Sequence, residues 1–177
     1  MIKRKIIFLD IDGVLNTERH YEYCCKNRIA SDEKFGYPFD PEAVANLKKI
    51  IDETGAEIVI SSSWKFWGLS TMIDLWKGRN LPGKVIGITP QAMSDEMLLN
   101  ADLTEMEMLP LKGSEIKGWL SEHKRNVAQY AILDDVNDMR PEQQSHFVQI
   151  NPVVGITEQD SGKVITILND TIALFLF

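Results

Sequence analysis

The chain has 177 residues, of which 44% are hydrophobic and 25% charged, and a net charge of −7. This size and balance fit one globular domain with at most a small insertion, and exclude a fibrous or disordered chain. The acidic balance disfavours broad binding to nucleic acid or anionic membranes, but a cation in a single cleft can invert the local field and admit an anionic ligand.

The opening Lys3-Arg4-Lys5 leads into an apolar run, Ile6 to Leu9, that is too short for a signal-peptide core and ends at Asp10. No stretch approaches the ~20 apolar residues of a membrane helix. Cys24 and Cys25 are adjacent, which suits neither a disulfide between them nor metal-site spacing, so they read as reduced thiols of a cytoplasmic protein.

In chain order, Lys5 to Leu9 is apolar at consecutive positions, as in a strand covered on both faces. Residues 17–39 are mixed and polar and read as a loop or small lid. Asp40 caps a helix with Pro41 at its first position, Val44, Leu47, Ile50 and Ile51 as its apolar stripe, and Gly55 as its stop. Glu57 to Ile60 is a second strand, running into Ser61-Ser62-Ser63.

Thr71 to Lys77 reads as helix and Lys84 to Ile88 as a short strand. The stretch from Met93 to Leu109 either packs on the core or covers a site. A helix is expected from about Ser114 to His123, strands at Tyr130 to Leu133 and Phe147 to Ile150, and a closing helix from Ser161 to Phe175 striped by Val164, Leu168, Ile172 and Phe175. Short apolar strands alternating with helices predict an α/β fold, a Rossmann-like three-layer α/β/α sandwich with a mainly parallel sheet.

Three of the strands end in polar clusters: Asp10-Ile11-Asp12-Gly13, Ser61-Ser62-Ser63 and Asp134-Asp135. Ligands of parallel sheets bind at the carboxyl ends of strands, so these clusters should meet at one edge. Strand alternation would turn Asp10 and Asp12 the same way, and their repulsion calls for a hard divalent cation such as magnesium. Asp134, Asp135 and Asp138 add carboxylates, and Gly13 permits close approach of backbone to ligand. A carboxylate can attack phosphorus to form an aspartyl-phosphate, given a metal, a cation, hydroxyl donors and a general acid. Asp10, the acidic cluster, Lys112, the serines and Asp12 supply that set.

The run Ile6-Ile7-Phe8-Leu9-Asp10-Ile11-Asp12-Gly13-Val14-Leu15-Asn16 resembles the first motif of the haloacid-dehalogenase-like (HAD) superfamily. Ile58-Val59-Ile60-Ser61 resembles the second motif, Lys112 ahead of a helix the third, and Ile132-Leu133-Asp134-Asp135 with Asp138 the fourth. The resemblance implies a magnesium-dependent phosphatase with a minimal cap. Asp10 would be nucleophile and metal ligand. Asp12 would be general acid and base, with its main-chain carbonyl on the metal. Ser61 would bind the phosphoryl oxygens, Lys112 would neutralise charge, and Asp135 with Asp134 would complete the metal site. Gly13, Ser62, Ser63 and Lys65 join the expected substrate contacts, and Lys65 and Lys117 compete with Lys112 for the cation role. Haloacid dehalogenases lack an acid at the position of Asp12, and P-type ATPases carry a Lys-Thr-Gly-Thr run, so phosphatases match better.

The gap of roughly two dozen residues after the first motif is too short for a full cap domain, so the site should be open, to small phosphate esters and to a phosphorylated protein or nucleic-acid end. End repair, which the net charge counts against, predicts a local basic groove near Lys65, Lys77 and Arg79 and a preference for a 3′-phosphorylated oligonucleotide over small esters. A third reading is a phosphate-binding module without turnover, which the intact Asp10-Asp12 pair opposes. His20, His123 and His146 match no triad or metal spacing, and Trp64, Trp67 and Trp76 read as core or lid before a base-stacking platform.

Overall fold

The computed structural model describes residues 3–91 and 111–170. Its elements are β1 (Arg4–Leu9), α1 (Glu18–Lys26), α2 (Pro41–Thr54), β2 (Glu57–Ile60), α3 (Leu69–Gly78), β3 (Val85–Ile88), α4 (Leu111–His123), β4 (Val127–Asp134), β5 (Phe147–Gln149) and α5 (Glu158–Asn169). The strands form one sheet, all parallel, in the order β3-β2-β1-β4-β5.

Because β1 is central and buried on both faces, its side chains divide between two cores. Ile7 and Leu9 join Leu47 and Ile50 of α2, Met72 and Leu75 of α3, and Val164 and Leu168 of α5. Ile6 and Phe8 join Ile116 and Trp119 of α4 with Val59, Ile132 and Met139. Phe8 sets the edge of its ring against Trp119, with centroids 5.4 Å apart, a favoured aromatic geometry. The sandwich expected from the strand and helix pattern is the one observed. Among the described residues, no helix is long and apolar enough to cross a membrane.

Four local expectations are corrected. The segment 17–39 is not all loop, because Thr17 accepts a hydrogen bond from the His20 N–H and starts α1. That helix buries only Cys24, too little apolar surface to stand out in a periodicity reading. The helix α4 begins at Leu111 rather than Ser114. Its early donors are met from a distant segment: the Asp138 carboxylate accepts the Lys112 N–H at 3.0 Å, and the Asp138 carbonyl accepts the Gly113 N–H at 3.0 Å. The helix α5 begins at Glu158, where Thr157 and Asp160 form a reciprocal capping box. Strand β4 is longer than expected, starting at Val127. The expectations for Met93 to Leu109, and for Ile172 and Phe175, fall outside the described residues.

Candidate active site

The sheet order reverses direction of travel between β1 and β4, which makes this the topological switch point where parallel sheets place ligands. Asp10 leaves the end of β1 and Asp134 ends β4, held side by side as the Asp10 N–H donates to the Leu133 carbonyl at 3.0 Å. Ser61 leaves the end of β2 on the other flank, its N–H donating to the Leu9 carbonyl at 2.8 Å. The three polar clusters therefore share one edge.

Asp10, Asp134 and Asp135 each offer a carboxylate oxygen, and these oxygens lie within 4.8 Å of one another. Gly13 makes room for this set. Its φ is +74°, and a Cβ there would lie 2.6 Å from Asp135 Oδ2. Lys112 reaches in from the first turn of α4, its Nζ donating to Asp10 Oδ2 at 2.9 Å and to Asp134 Oδ2 at 2.7 Å.

Asp134 is 1% exposed. Burial and the Asp10 charge push its carboxyl up to about 7, against the pull of Lys112. Burial also raises Asp10, opposed by Lys112, by hydrogen bonding from Ser62 and by the Ile11 main chain. For Lys112, burial favours the neutral amine, but the Asp10 and Asp134 charges and hydrogen bonds outweigh it and raise the ammonium's pKa. A cluster of three carboxylates, two of them buried, that meets one ammonium among the described residues suits a hard divalent cation, and the donors are all oxygen.

Ser61 supplies the other half of the site. Its hydroxyl is buried and has no partner among the described residues. Buried hydroxyls are nearly always paired, so an orphan at a strand end on the edge that carries Asp10 is available to a ligand. Ser62 hydrogen-bonds Asp10 and caps the 3₁₀ turn Ser63–Trp67 by accepting the Trp64 N–H. Ser63 is exposed.

Asp12 does not join the cluster. The strand stops at Leu9, so strand alternation does not carry through to Asp12, and the expectation that both carboxylates turn one way is corrected. Its side chain is exposed and doubly held, Oδ1 accepting the Asn16 amide and Oδ2 the Trp64 indole N–H, each at 2.9 Å. The Gly13 N–H is spent on the Asn16 carbonyl at 2.9 Å.

Lys65 is 7% exposed and committed elsewhere, to Glu115, to Thr89 Oγ1 at 3.3 Å and to the Pro90 carbonyl at 3.4 Å. It lines a cavity of about 470 Å³ with Phe66, Ile86, Trp119 and His123, a different place from the carboxylate cluster. Lys117 is exposed and lies 3.7 Å from Glu142. Of the three lysines, Lys112 alone meets the acids. Of the residues envisaged in a basic groove, Lys65 is buried and Arg79 ties the Phe35 and Gly36 carbonyls to the end of α3, while Lys77 is exposed.

Asp138 secures Lys112 rather than adding to the acid cluster. It holds the main chain of Lys112 and Gly113, as described above, and a Cβ on Gly113 would lie 2.7 Å from the Arg140 nitrogen. The histidines pack away from the site: His123 stacks on Trp119, and His146 stacks on Tyr130 and bonds its carbonyl. Trp76 is core, donating to the Pro82 carbonyl. Sequence reasoning missed the roles of Trp64 and Asn16. Asn16, four residues from Asp12 across a tight turn, carried a local signal; Trp64 did not.

Searches of curated proteins and of solved structures return no match to the chain. Residues 6–161, which carry all four motifs, match the family described as the HAD domain in Swiss Army Knife RNA repair proteins, and the chain belongs to that family.

Proposed function

We propose that this chain is a magnesium-dependent phosphomonoesterase working through a phospho-Asp10 intermediate. The observation that carries the reading is the Lys112 ammonium shared by Asp10 and Asp134, inside a three-carboxylate cluster and near an unpartnered buried hydroxyl. HAD domains are in general hydrolases of phosphoester bonds, which agrees.

Asp10 attacks phosphorus, and the bond to the leaving oxygen breaks as Asp12 delivers a proton to it. Water then attacks the phospho-Asp10, giving up a proton to Asp12, and inorganic phosphate leaves. Ser61 donates to a phosphoryl oxygen, and Lys112 offsets the charge that would oppose an anionic substrate's approach to Asp10. Asp10, Asp134 and Asp135, with the Asp12 carbonyl, would hold magnesium, which supplies charge neutralisation at the phosphoryl oxygens. Residues 17–39, including α1, serve as the small lid in this reading.

The family description favours the end of an RNA as the substrate. The aromatic rings beside Asp12 are consistent with it: Trp67 is 43% exposed and packs on Trp64 with centroids 4.9 Å apart, and single-stranded ends are commonly held by stacking.

The test is hydrolysis of an aryl phosphate and of 3′- and 5′-phosphorylated oligoribonucleotides, with magnesium, with EDTA and with Asp10→Asn. Magnesium-dependent turnover abolished by the substitution is expected, with preference for a phosphorylated end. No turnover on any of these, with phosphate still bound, would replace the enzyme by a binding module.

A further inference from the structure

The inference rests on the phosphatase reading above and concerns what controls Asp12. An exposed carboxylate ordinarily satisfies itself with water and samples several rotamers. That of Asp12 is instead held on both oxygens. Asn16 comes from the same turn and is joined to Asp12 by a backbone bridge. Trp64 comes from a separate loop, the one that follows β2.

The indole is itself fixed. Its ring lies 4.9 Å from that of Trp67, 5.8 Å from Phe39 and 6.5 Å from Phe35, centroid to centroid. Phe39 is buried, and the Arg79 guanidinium sits 4.6 Å above it. An indole N–H can only donate, and this one is spent on the Asp12 carboxylate.

We propose that Trp64 is the positioning residue of the reaction, aiming Asp12 at the leaving-group oxygen. In the first half-reaction the Asp10 oxygen forms a bond to phosphorus, the bond from phosphorus to the leaving oxygen breaks, and the Asp12 proton moves to that oxygen. In the second half-reaction a water oxygen bonds phosphorus, the phospho-Asp10 bond breaks, and the water proton returns to Asp12. Proton transfer of this kind contributes roughly 10²–10⁴-fold, and it depends on the donor's position. Its weight also depends on the leaving group. Nitrophenolate departs almost unaided, whereas phenolate needs the proton. Both esters share one phospho-enzyme, so effects on the second half-reaction cancel between them.

The experiment compares kcat/KM for p-nitrophenyl phosphate and phenyl phosphate in the wild type, Trp64→Phe, Trp67→Phe, Asp12→Asn and the Asp12→Asn/Trp64→Phe double variant, all with magnesium. Phenylalanine keeps an aromatic ring in the cluster while removing the donor together with part of the indole volume, and the comparison of the two esters separates those two effects. Trp64→Phe should lose about tenfold more on phenyl phosphate than on p-nitrophenyl phosphate, the scale of one hydrogen bond to a charged group. Trp67→Phe keeps a ring against Trp64 and leaves its N–H in place, so it should change the ratio of the two esters less than Trp64→Phe does. In the Asp12→Asn background Trp64→Phe should cost little more, because residues acting as one unit are not additive.

Equal losses on both esters, or full additivity in the double variant, would reduce Trp64 to packing and overturn the proposal while the phosphatase reading stands. A wild type inert on both esters and on phosphorylated oligonucleotides would overturn that reading and this proposal together.

Discussion

At the scale of single residues, the site is a balance of buried charge. Replacing Lys112 by Met leaves Asp10 and Asp134 facing each other without a counter-charge, and removes a cation from the phosphoryl site. Turnover should fall by about a hundredfold or more, as for loss of one electrostatic stabiliser in a closed site, and steady-state rates at saturating magnesium check it. Asp134 sets a pH dependence with a definite sign. Its folded carboxyl titrates at about 7, against about 4 in an unfolded chain. The folded metal-free protein therefore holds a proton that the unfolded chain has released, and this contribution to stability is lost as pH rises from about 4 through 7. Burial lowers the His146 pKa, which acts oppositely, costing stability as pH falls through the ordinary histidine range. Asp134→Asn removes only the first effect. Relative to wild type, in EDTA, the variant should be more stable at pH 8 than at pH 5, by urea titration at each pH. An equal difference at both would show that the carboxyl titrates normally.

At the scale of elements, helix ends do much of the positioning. Asp138 replaces the local cap that α4 lacks in the described residues, and through it fixes the turn carrying Lys112. Asp138→Ala should cost about 1 kcal/mol of stability, the usual worth of a cap, and lower kcat by more than that loss explains. Comparing urea midpoints with kcat would separate the two effects. A kcat reduced only in proportion to folded fraction would confine Asp138 to stability.

Asp40 joins two helix starts. It caps α2 through the Glu42 N–H at 2.9 Å, and its other oxygen accepts the hydroxyl of Thr17, the α1 cap, at 2.8 Å. Burial alone would raise its pKa, but the Thr17, Glu42 and Arg19 hydrogen bonds win and lower it. Its stabilisation is therefore present above the unfolded carboxyl range and lost as pH falls through the depressed folded value. Asp40→Ala should destabilise by ~1–2 kcal/mol near neutral pH, and the gap to wild type should shrink in acid. Thermal melts at pH 7 and pH 3.5 would show it.

At the scale of the whole molecule, two buried cores pack on either side of β1. Leu47 is fully buried between α2 and the sheet, and Leu47→Ala should cost ~2–5 kcal/mol in urea unfolding. The carboxylate cluster works against folding, offset in part by Lys112, and in the phosphatase reading magnesium would offset the rest. Magnesium in large excess over its dissociation constant should raise the melting temperature, since a ligand bound only by the native state stabilises it by mass action. The Asp134→Asn and Asp135→Asn variants should lose most of that shift, by differential scanning fluorimetry across a magnesium series.

Much of this was legible in the sequence, for reasons particular to each element. The apolar run into Asp10 marks a doubly covered strand, the Asp40-Pro41 start and Gly55 stop bound α2, and side-chain type alone identifies the acids and serines that end strands. These are local properties, expressed in period, capping and composition. The start of α4 was not legible, because its early N–H groups are satisfied by Asp138, 26 positions away from Lys112. The family resemblance favoured Lys112 among the lysines, but local pattern did not separate it from Lys65, since the two are alike until Glu115 claims one and the carboxylates the other. The Trp64 contact with Asp12, across 52 positions, was not legible either. The sequence by itself determined the strand ends and the kinds of groups that meet there. Only the tertiary structure decided which charges neutralise one another, because pairing depends on distances between segments that local pattern does not encode.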